Sequence, residues 1–178
     1  VITESFRPGV VKRLGIDYDA LREINPRIVY CSLSGYGQDG PYCNLPGHDP
    51  NYIATAGVMN LIGRRGEEPT MPLNLVGDYA TGLHCAIGIL TALIAREKTA
   101  RGQYIDLAIT DGALSLLTGI ASDYFRTALV PQRGESWLSG TFPCFHVYET
   151  KGGDFIAVGC MEHHFWQKLC RALRNKDA

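Results

Sequence analysis

The segment from Asp17 to Ser34 most constrains what this chain can fold into. Residues 17–24 predict a short helix with an acidic first turn. Residues 27–34 (RIVYCSLS) predict a buried strand, because β-branched and apolar residues run up to Gly35. A helix that leads through Asn-Pro-Arg into such a strand is typical of a βα repeat in a parallel sheet. The Gly-rich loop at 34–42 then follows the carboxyl end of a strand, where ligands collect in open α/β sheets.

The rest of the chain also mixes helices with strands, as an α/β fold requires. Residues 79–98 form the longest predicted helix; it is apolar nearly all round until Ala95, so we expect it to be central. Its apolar stretch 83–95 is interrupted by His84 and is too short to span a bilayer. Shorter helices are predicted at 8–14, 52–62, 111–128 (with Asp111 as N-cap) and 162–173, and strands at 103–109, 145–150 and 155–160, the last two joined as a hairpin.

The composition limits the classes of function that this chain can have. The chain has 178 residues, of which 46% are hydrophobic, enough for a substantial core. The 17 basic and 18 acidic residues are balanced, so nothing favours nucleic acid or a membrane surface as partner. The six cysteines are widely spaced without CxxC, which predicts reduced, mostly buried thiols of a cytosolic compartment and no zinc site.

Two short segments carry the candidate chemistry. PGHDPNY (46–52) places His48 beside Asp49, and NLVGDY (74–79) places Asp78 after a glycine. Imidazole and carboxylate are suited to moving protons near neutral pH, and both segments are rich in Gly, Pro and Asn, which predicts loops. If both loops face one pocket, they form a two-base site that removes a proton from one face of a carbon and returns it to the other. The alternatives are a His48 bonded to backbone, an Asx turn at Asp49 and a helix N-cap at Asp78.

Six segments together resemble the family III CoA transferases (the CaiB/BaiF family), and within it the α-methylacyl-CoA racemase branch. The resemblance covers nearly the whole chain and keeps the order of the segments. They are ESFRPGVVKRLG (4–15), NPRIVYCSLSGYGQDGPY (25–42), PGHDPNY, NLVGDY, ARGQYIDLAITDGA (100–113) and FIAVGCMEHHFW (155–166).

The resemblance implies a Rossmann-like open parallel sheet, part of a small α+β domain, and an interlocked homodimer. On this basis residues 1–130 belong to the large α/β domain, 131–141 form a linker and 142–178 begin the small domain. The chain starts without methionine and corresponds to the middle of the family pattern, so we expect it to be a fragment of a longer protein.

The resemblance also assigns roles to residues. In the racemase branch His48 and Asp78 match the two α-proton bases, and Glu162 matches the carboxylate that orients the catalytic histidine. Glu162 belongs to the predicted small domain, so the implied site forms where the domains meet; its alternative role is charge at a helix N-terminus. Asp49 matches a residue that orients the site. In the transferases the aspartate at position 78 is instead the nucleophile that forms an aspartyl-CoA anhydride and then a thioester.

Three arginines are candidates for binding the phosphates of coenzyme A, since a planar guanidinium suits phosphate. Arg7 and Arg13 resemble family positions near those phosphates, although a solvated helix face explains Arg13 equally well. Arg64 is a loop arginine, and such residues are usually exposed to solvent. Backbone N–H groups at Gly77 and Asp78 are candidates for holding an enolate oxygen.

One segment departs from the racemase pattern. The branch has GGAPFY or GGAPYY before the hairpin, whereas this chain has SGTFPCFHVY, with Phe145 in place of the tyrosine. The lost hydroxyl would affect substrate choice or the stabilisation of an anion.

The expected function is racemisation at C2 of 2-methyl-branched acyl-CoA thioesters by 1,1-proton transfer. The alternatives are a CoA transferase and a non-catalytic module that binds CoA esters or oligomerises. No metal and no cofactor is expected beyond the coenzyme A of the substrate, nor any nucleic acid or membrane partner. The expected compartment is the cytoplasm, or a peroxisome or mitochondrion in a eukaryote.

Overall fold

The computed structural model describes residues 1–174 and divides the chain into two compact units. The larger unit comprises Val1–Met59 and Met71–Thr127. The smaller unit comprises Asn60–Thr70 and the residues from Ala128 onward. The predicted mixed α/β fold with a parallel sheet is confirmed.

The sheet of the larger unit has three parallel strands, β1 (Ile2–Glu4), β2 (Tyr30–Ser34) and β3 (Tyr104–Ala108), in the order β1-β2-β3. In register, Tyr30 of β2 lies between Ile2 of β1 and Tyr104 of β3. The central strand carries the core, since Tyr30 and Cys31 are almost fully buried. A strand covered on both faces needs a continuous apolar run, which explains why residues 27–34 predicted β2.

Seven helices begin before residue 119. In the second of them, α2 (Tyr18–Ile24), the side chain of Asp17 caps the N-terminus by accepting hydrogen bonds from the N–H groups of Asp19 and Ala20, at 3.0 and 3.2 Å. The helices are α1 (Val10–Arg13), α2 (Tyr18–Ile24), α3 (Asp49–Thr55), α4 (Val58–Leu61), α5 (Val76–Thr99), α6 (Ile109–Ser115) and α7 (Thr118–Thr127).

Helix α5 has one packed face and one exposed apolar face. It contacts α3, α6, β2 and β3, and Thr81, Cys85 and Ala92 are buried on that side. Within residues 1–174, α5 is the one helix whose length and composition would suffice to cross a membrane, a test that core helices of soluble proteins also pass. The expectation that this helix is central is met on the packed face and not on the opposite face, which is exposed. The exposed apolar stripe consists of Tyr79, Leu83, Ile87, Leu90 and Ile94.

The smaller unit contains an antiparallel hairpin and a helix: β4 (Phe145–Glu149), β5 (Phe155–Gly159) and α8 (His163–Arg174). The predicted hairpin is confirmed. The guanidinium of Arg133 ties the segment 60–70 to the residues after 128. It donates to the carbonyl oxygen and the side-chain oxygen of Asn60, at 2.9 and 3.1 Å, and to the carbonyl oxygen of Glu67.

Two long predicted helices are each divided in the structure. The predicted helix 52–62 is α3 followed by α4, separated at Gly57, whose φ of 83° lies in the left-handed region. The predicted helix 111–128 is α6 followed by α7. Asp111 is not its N-cap, since α6 begins at Ile109 and Asp111 lies within its first turn.

The segments 46–52 and 74–79 were both predicted as loops, but both are largely helical. The first turn of a helix therefore positions their candidate side chains. Asp49 lies in the first turn of α3, and Gly77 and Asp78 lie in the first turn of α5. The prediction of an N-cap at Asp78 is wrong, because Leu75 occupies that position. The first helix was predicted to begin at Pro8, but Pro8 precedes α1, whose N-cap is Gly9.

The cysteines match the expectation only in part. Cys31 and Cys85 are buried with their Sγ atoms 3.3 Å apart, and burial raises the pKa of the Cys31 thiol to about 12. The remaining four, Cys43, Cys144, Cys160 and Cys170, are half-buried.

Candidate active site

His48 lies at the start of α3, immediately before the first helical residue. Its backbone N–H donates to the side-chain oxygen of Asn51 at 3.0 Å, and its carbonyl oxygen accepts from the N–H of Asn51 at 2.8 Å. These two bonds fix the backbone of His48, because the N-cap residue and the third helical residue exchange hydrogen bonds. The imidazole itself is exposed and lines a cavity.

Asp49 is a buried carboxylate that caps a different helix from its own. Its side chain is only 4% exposed, and its Oδ1 accepts the backbone N–H of Asp78 at 2.9 Å. The N–H groups of a first helical turn have no partner within the helix, so a carboxylate is a favourable acceptor there. This bond joins the beginning of α3 to the beginning of α5.

Gly77 provides the space for that junction. A Cβ at Gly77 would lie 2.9 Å from Cγ2 of Ile109 and 3.1 Å from Oδ1 of Asp49. Both distances are shorter than ordinary van der Waals contacts, so a side chain here would force the helices apart or displace the carboxylate. The absence of a side chain therefore allows α5 to approach Asp49 closely.

Asp78 is half-buried and sits among charged neighbours. Burial raises the pKa of its carboxyl above the ordinary value of 3.8, the charge of Asp49 raises this pKa further, and His48 opposes both by lowering it. The three residues His48, Asp49 and Asp78 thus form one electrostatically coupled group, which we call the His48–Asp78 cluster. A carboxylate with a raised pKa accepts a proton more readily than a solvated one.

The backbone N–H of Asp78 already donates a hydrogen bond within this cluster. We expected it to be one donor toward an enolate oxygen, but it donates to Asp49 in the structure. The expectation is wrong for this N–H as the structure stands, since an amide hydrogen held at 2.9 Å by a carboxylate does not point toward a second acceptor. The role expected of Gly77 stays a prediction.

Two cavities flank the cluster in the larger unit. The first, here called the Arg7 cavity, has a volume of about 540 Å³ and is lined in part by Arg7, Ser34, His48 and Tyr52. The second, the Leu73 cavity, has a volume of about 410 Å³, and its lining is apolar apart from Asp49. Its apolar lining includes Pro50, Ile53, Met71, Leu73 and Leu75.

The other predicted residues are divided between the two units. Arg13 is exposed at the end of α1, and Arg64 is exposed in the smaller unit. Glu162 and Phe145 also belong to the smaller unit; the backbone carbonyl of Glu162 accepts the N–H groups of Phe165 and Trp166 at the start of α8. In the described part of the chain, no group of three or more His, Cys, Asp or Glu side chains is arranged to hold a metal ion.

The sequence pattern of CoA-transferase family III matches residues 1–178 of this chain. The chain belongs to CoA-transferase family III. Members with different activities are similar to it at comparable levels. α-Methylacyl-CoA racemase of Homo sapiens is 41% identical over 178 residues, which cover 99% of this chain and 47% of the racemase. Succinyl-CoA–L-malate CoA-transferase beta subunit of Chloroflexus aurantiacus is 35% identical over 179 residues, which cover 99% of this chain and 44% of that subunit.

A solved family III structure supports the same assignment. The CaiB/BaiF family protein of Brucella suis superposes with a TM-score of 0.83 at 31% identity, covering 96% of this chain and 45% of that protein. The chain spans about half the length of the family III relatives it matches.

Two residues that line the Arg7 cavity were not among the predicted site residues. Tyr52 lies in the PGHDPNY segment but was assigned only to a helix, although its ring lines the Arg7 cavity. Ser34 ends β2 and is 7% exposed, and among residues 1–174 its hydroxyl has no hydrogen-bond partner. The signal for Ser34 was its position, because ligands of α/β proteins gather at the carboxyl ends of strands.

Proposed function

We propose that the protein is an acyl-CoA racemase that inverts C2 of 2-methyl-branched acyl-CoA thioesters. The observation that carries this proposal is the His48–Asp78 cluster, in which an imidazole and a carboxyl of raised pKa are coupled beside the same buried Asp49. The 41% identity to the human racemase over 178 residues supports the same activity. Inversion by proton transfer requires one group that removes the proton from one face of the carbon and a second group that donates a proton to the other face.

In the proposed reaction one base of the cluster removes the α-proton of the thioester. The electrons of the C–H bond move into the thioester carbonyl and give an enolate. The conjugate acid of the other base then donates a proton to the opposite face of C2. His48 removes the proton of one enantiomer and Asp78 that of the other, so their roles exchange with the direction of the reaction.

Supporting roles are proposed for Glu162 and Asp49. A carboxylate that accepts the second ring N–H of a catalytic imidazole fixes its orientation and stabilises its protonated form, and this is the role proposed for Glu162. Asp49 is proposed to hold the backbone of Asp78 in place, which the hydrogen bond of 2.9 Å supports.

The two cavities suit the two ends of the proposed substrate. The lining of the Leu73 cavity is almost entirely apolar, as burial of a branched acyl chain requires. The Arg7 cavity offers the guanidinium of Arg7, which suits the phosphate groups of coenzyme A. Coenzyme A enters as part of the substrate, and additional phosphate contacts are proposed for Arg13 and Arg64.

The second candidate is a CoA transferase that uses Asp78 as a covalent nucleophile. The 35% identity to the Chloroflexus transferase favours it, and so does Phe145, which stands where the racemase branch has tyrosine. Here the Asp78 carboxylate attacks the thioester carbonyl, CoA thiolate leaves, and a mixed anhydride forms. The thiolate then attacks the Asp78 carbonyl of this anhydride, the donor acid leaves as a carboxylate, and an aspartyl-CoA thioester remains. This mechanism predicts ping-pong kinetics and an intermediate that reacts with hydroxylamine.

Proton NMR of a 2-methylacyl-CoA in D2O separates the two candidates. The complete protein is incubated with this thioester and no acceptor acid, and loss of the C2 hydrogen signal is followed. Exchange that His48→Ala and Asp78→Asn both impair supports the racemase. Absence of exchange, combined with CoA transfer to an added carboxylic acid that only Asp78→Asn abolishes, refutes the racemase in favour of the transferase.

A homodimer is also proposed, with the exposed stripe of α5 as part of the contact between subunits. The stripe contains Leu83, Ile87, Leu90 and Ile94, each at least 60% exposed, and one continuous apolar face of this kind marks an interaction surface. The mass of the complete protein in solution tests this, with Leu83→Glu and Ile87→Glu as variants. A dimer that the variants convert to a folded monomer supports the proposal, whereas a monomeric parent refutes it.

A further inference from the structure

Tyr52 is held in one position by its surroundings. The residue is 8% exposed, and its hydroxyl donates to the carbonyl oxygen of Gly47 at 2.5 Å. Its ring meets the ring of Tyr36 edge to face, with centroids 5.1 Å apart and an interplanar angle of 79°. Aromatic contacts of this geometry favour a single ring orientation.

Two glycines make room for this ring. A Cβ at Gly47 would lie 2.7 Å from Cε1 of Tyr52, and a Cβ at Gly35 would overlap the same ring atom. Any other residue at either position would have to push the ring aside. The loop that precedes α3 and the loop that follows β2 therefore both pack closely against the ring of Tyr52.

The hydroxyl of Tyr52 contacts the residue immediately before His48. Gly47 and His48 share a peptide unit, so the oxygen that accepts the bond belongs to the amide that carries the His48 nitrogen. The N–H of Tyr52 also approaches the His48 carbonyl oxygen at 3.3 Å. Tyr52 thereby holds the backbone on both sides of the proposed base.

The electrostatic surroundings keep the Tyr52 phenol protonated. Burial raises the pKa of Tyr52, the neighbouring Tyr36 and Asp78 raise it further, and Arg7 opposes them. A protonated phenol can donate to a carbonyl oxygen at every pH at which the enzyme is expected to work.

We propose that Tyr52 is the positioning residue of His48, and that its hydroxyl bond to Gly47 sets where the imidazole meets the substrate. This inference rests on the proposed racemase function. It predicts an effect confined to one of the two proposed bases, because the backbone of Asp78, in α5, donates to the carboxylate of Asp49 whereas the Tyr52 hydroxyl donates to Gly47. Loss of one neutral hydrogen bond is expected to reduce the affected step roughly tenfold.

Isotope exchange measured separately from each enantiomer distinguishes a positioning role from a structural one. The complete protein is incubated in D2O with the (2R) or the (2S) form of a 2-methylacyl-CoA, and the initial loss of the C2 hydrogen is recorded by NMR. His48→Ala first identifies the enantiomer whose proton faces the histidine, as the one whose exchange it abolishes. Asp78→Asn should show the opposite preference.

Tyr52→Phe, which keeps the ring, is expected to slow exchange from the histidine-facing enantiomer about tenfold. Exchange from the other enantiomer and the KM should change little. Tyr42→Phe is the matched control. The ring of Tyr42 packs on the ring of Tyr36, with centroids 5.7 Å apart, and the residue is half-exposed. This variant should leave both exchange rates unchanged.

Equal slowing from both enantiomers, no slowing, or slowing of the aspartate-facing enantiomer would each overturn the inference while leaving the racemase in place. Thermal melting of Tyr52→Phe shows whether an equal loss reflects partial unfolding, which also counts against a specific role. If the unmodified protein exchanges neither enantiomer, the proposed function itself fails, and the inference falls with it.

Discussion

The carboxylate of Asp49 accepts the backbone N–H of Asp78 at 2.9 Å, across 29 residues of sequence. This bond connects the first turn of α3, which follows His48, to the first turn of α5, which contains Asp78. The segments that carry the two candidate bases are thus joined through one buried acceptor. Changes at Asp49 should affect stability and chemistry together, and the two effects can be separated by choosing the substitution.

Asp49→Ala removes the acceptor and should both destabilise and inactivate the protein. Loss of a helix cap costs about 1 kcal/mol, and the burial of the unpaired N–H raises this to roughly 1–3 kcal/mol. A displaced Asp78 should lower the exchange rate by up to about 100-fold. Urea unfolding and the NMR exchange assay measure the two effects.

Asp17→Ala is the matched control for this loss. Asp17 caps α2 in the same way, through bonds of 3.0 and 3.2 Å, but has no contact with the cluster. It should cost about 1 kcal/mol of stability and leave exchange intact. Comparable activity losses in the two variants would show that Asp49 acts through global stability alone.

Asp49→Asn keeps an oxygen for the Asp78 N–H but removes the charge. Because the charge of Asp49 raises the pKa of Asp78, its removal should lower that pKa. If the ionised Asp78 is a base, the acidic limb of kcat/KM lies above pH 3.8 in the parent protein and moves to lower pH in the variant. An acidic limb that does not move would contradict this coupling.

Asp78→Asn should stabilise the protein at neutral pH while abolishing exchange from the enantiomer whose proton faces Asp78. Folding raises the pKa of Asp78, so the folded state favours the protonated carboxyl and loses stability as pH rises through that pKa. An amide carries no charge and avoids this loss. The gain in melting temperature should therefore be present at pH 7 and disappear below the ordinary pKa of 3.8.

A gain in melting temperature that is equal at pH 7 and pH 3 would show that the amide stabilises by new hydrogen bonds and not by removal of charge. Thermal melting of both proteins across this range gives the answer directly.

Gly77→Ala should be harmful although alanine favours helices. Its Cβ would lie 3.1 Å from Oδ1 of Asp49 and 2.9 Å from Cγ2 of Ile109, so either the cap or the packing must shift. Gly82→Ala, in the same helix, is the matched control, since nothing lies within 4 Å of its Cβ position. We expect Gly82→Ala to stabilise by roughly 0.5–1 kcal/mol.

Gly77→Ala should instead lose stability and slow exchange. Urea unfolding of both variants tests the contrast. If the two substitutions stabilise equally, the approach of α5 to Asp49 does not depend on the missing side chain.

Much of the fold could be predicted because its signals are local. The buried strand β2 follows from an uninterrupted apolar run, and the β4–β5 hairpin from two strand segments around KGGD. The helix 52–62 was predicted as continuous because periodicity alone does not register the left-handed conformation of Gly57. The stripe on α5 could not be identified as exposed, since an apolar sequence does not reveal which of its faces is packed.

The sequence by itself determined the residue types of the candidate site and the family to which their order belongs. Imidazole, carboxylate and glycine in those two segments suffice to suggest proton transfer at His48 and Asp78. Only the tertiary structure decided that Asp49 caps α5, that Tyr52 holds the loop before His48, and that Asp78 is a coupled acid within a helix. Burial and hydrogen bonds between distant segments arise from how helices pack, and this packing sets the pKa and the orientation on which the chemistry depends.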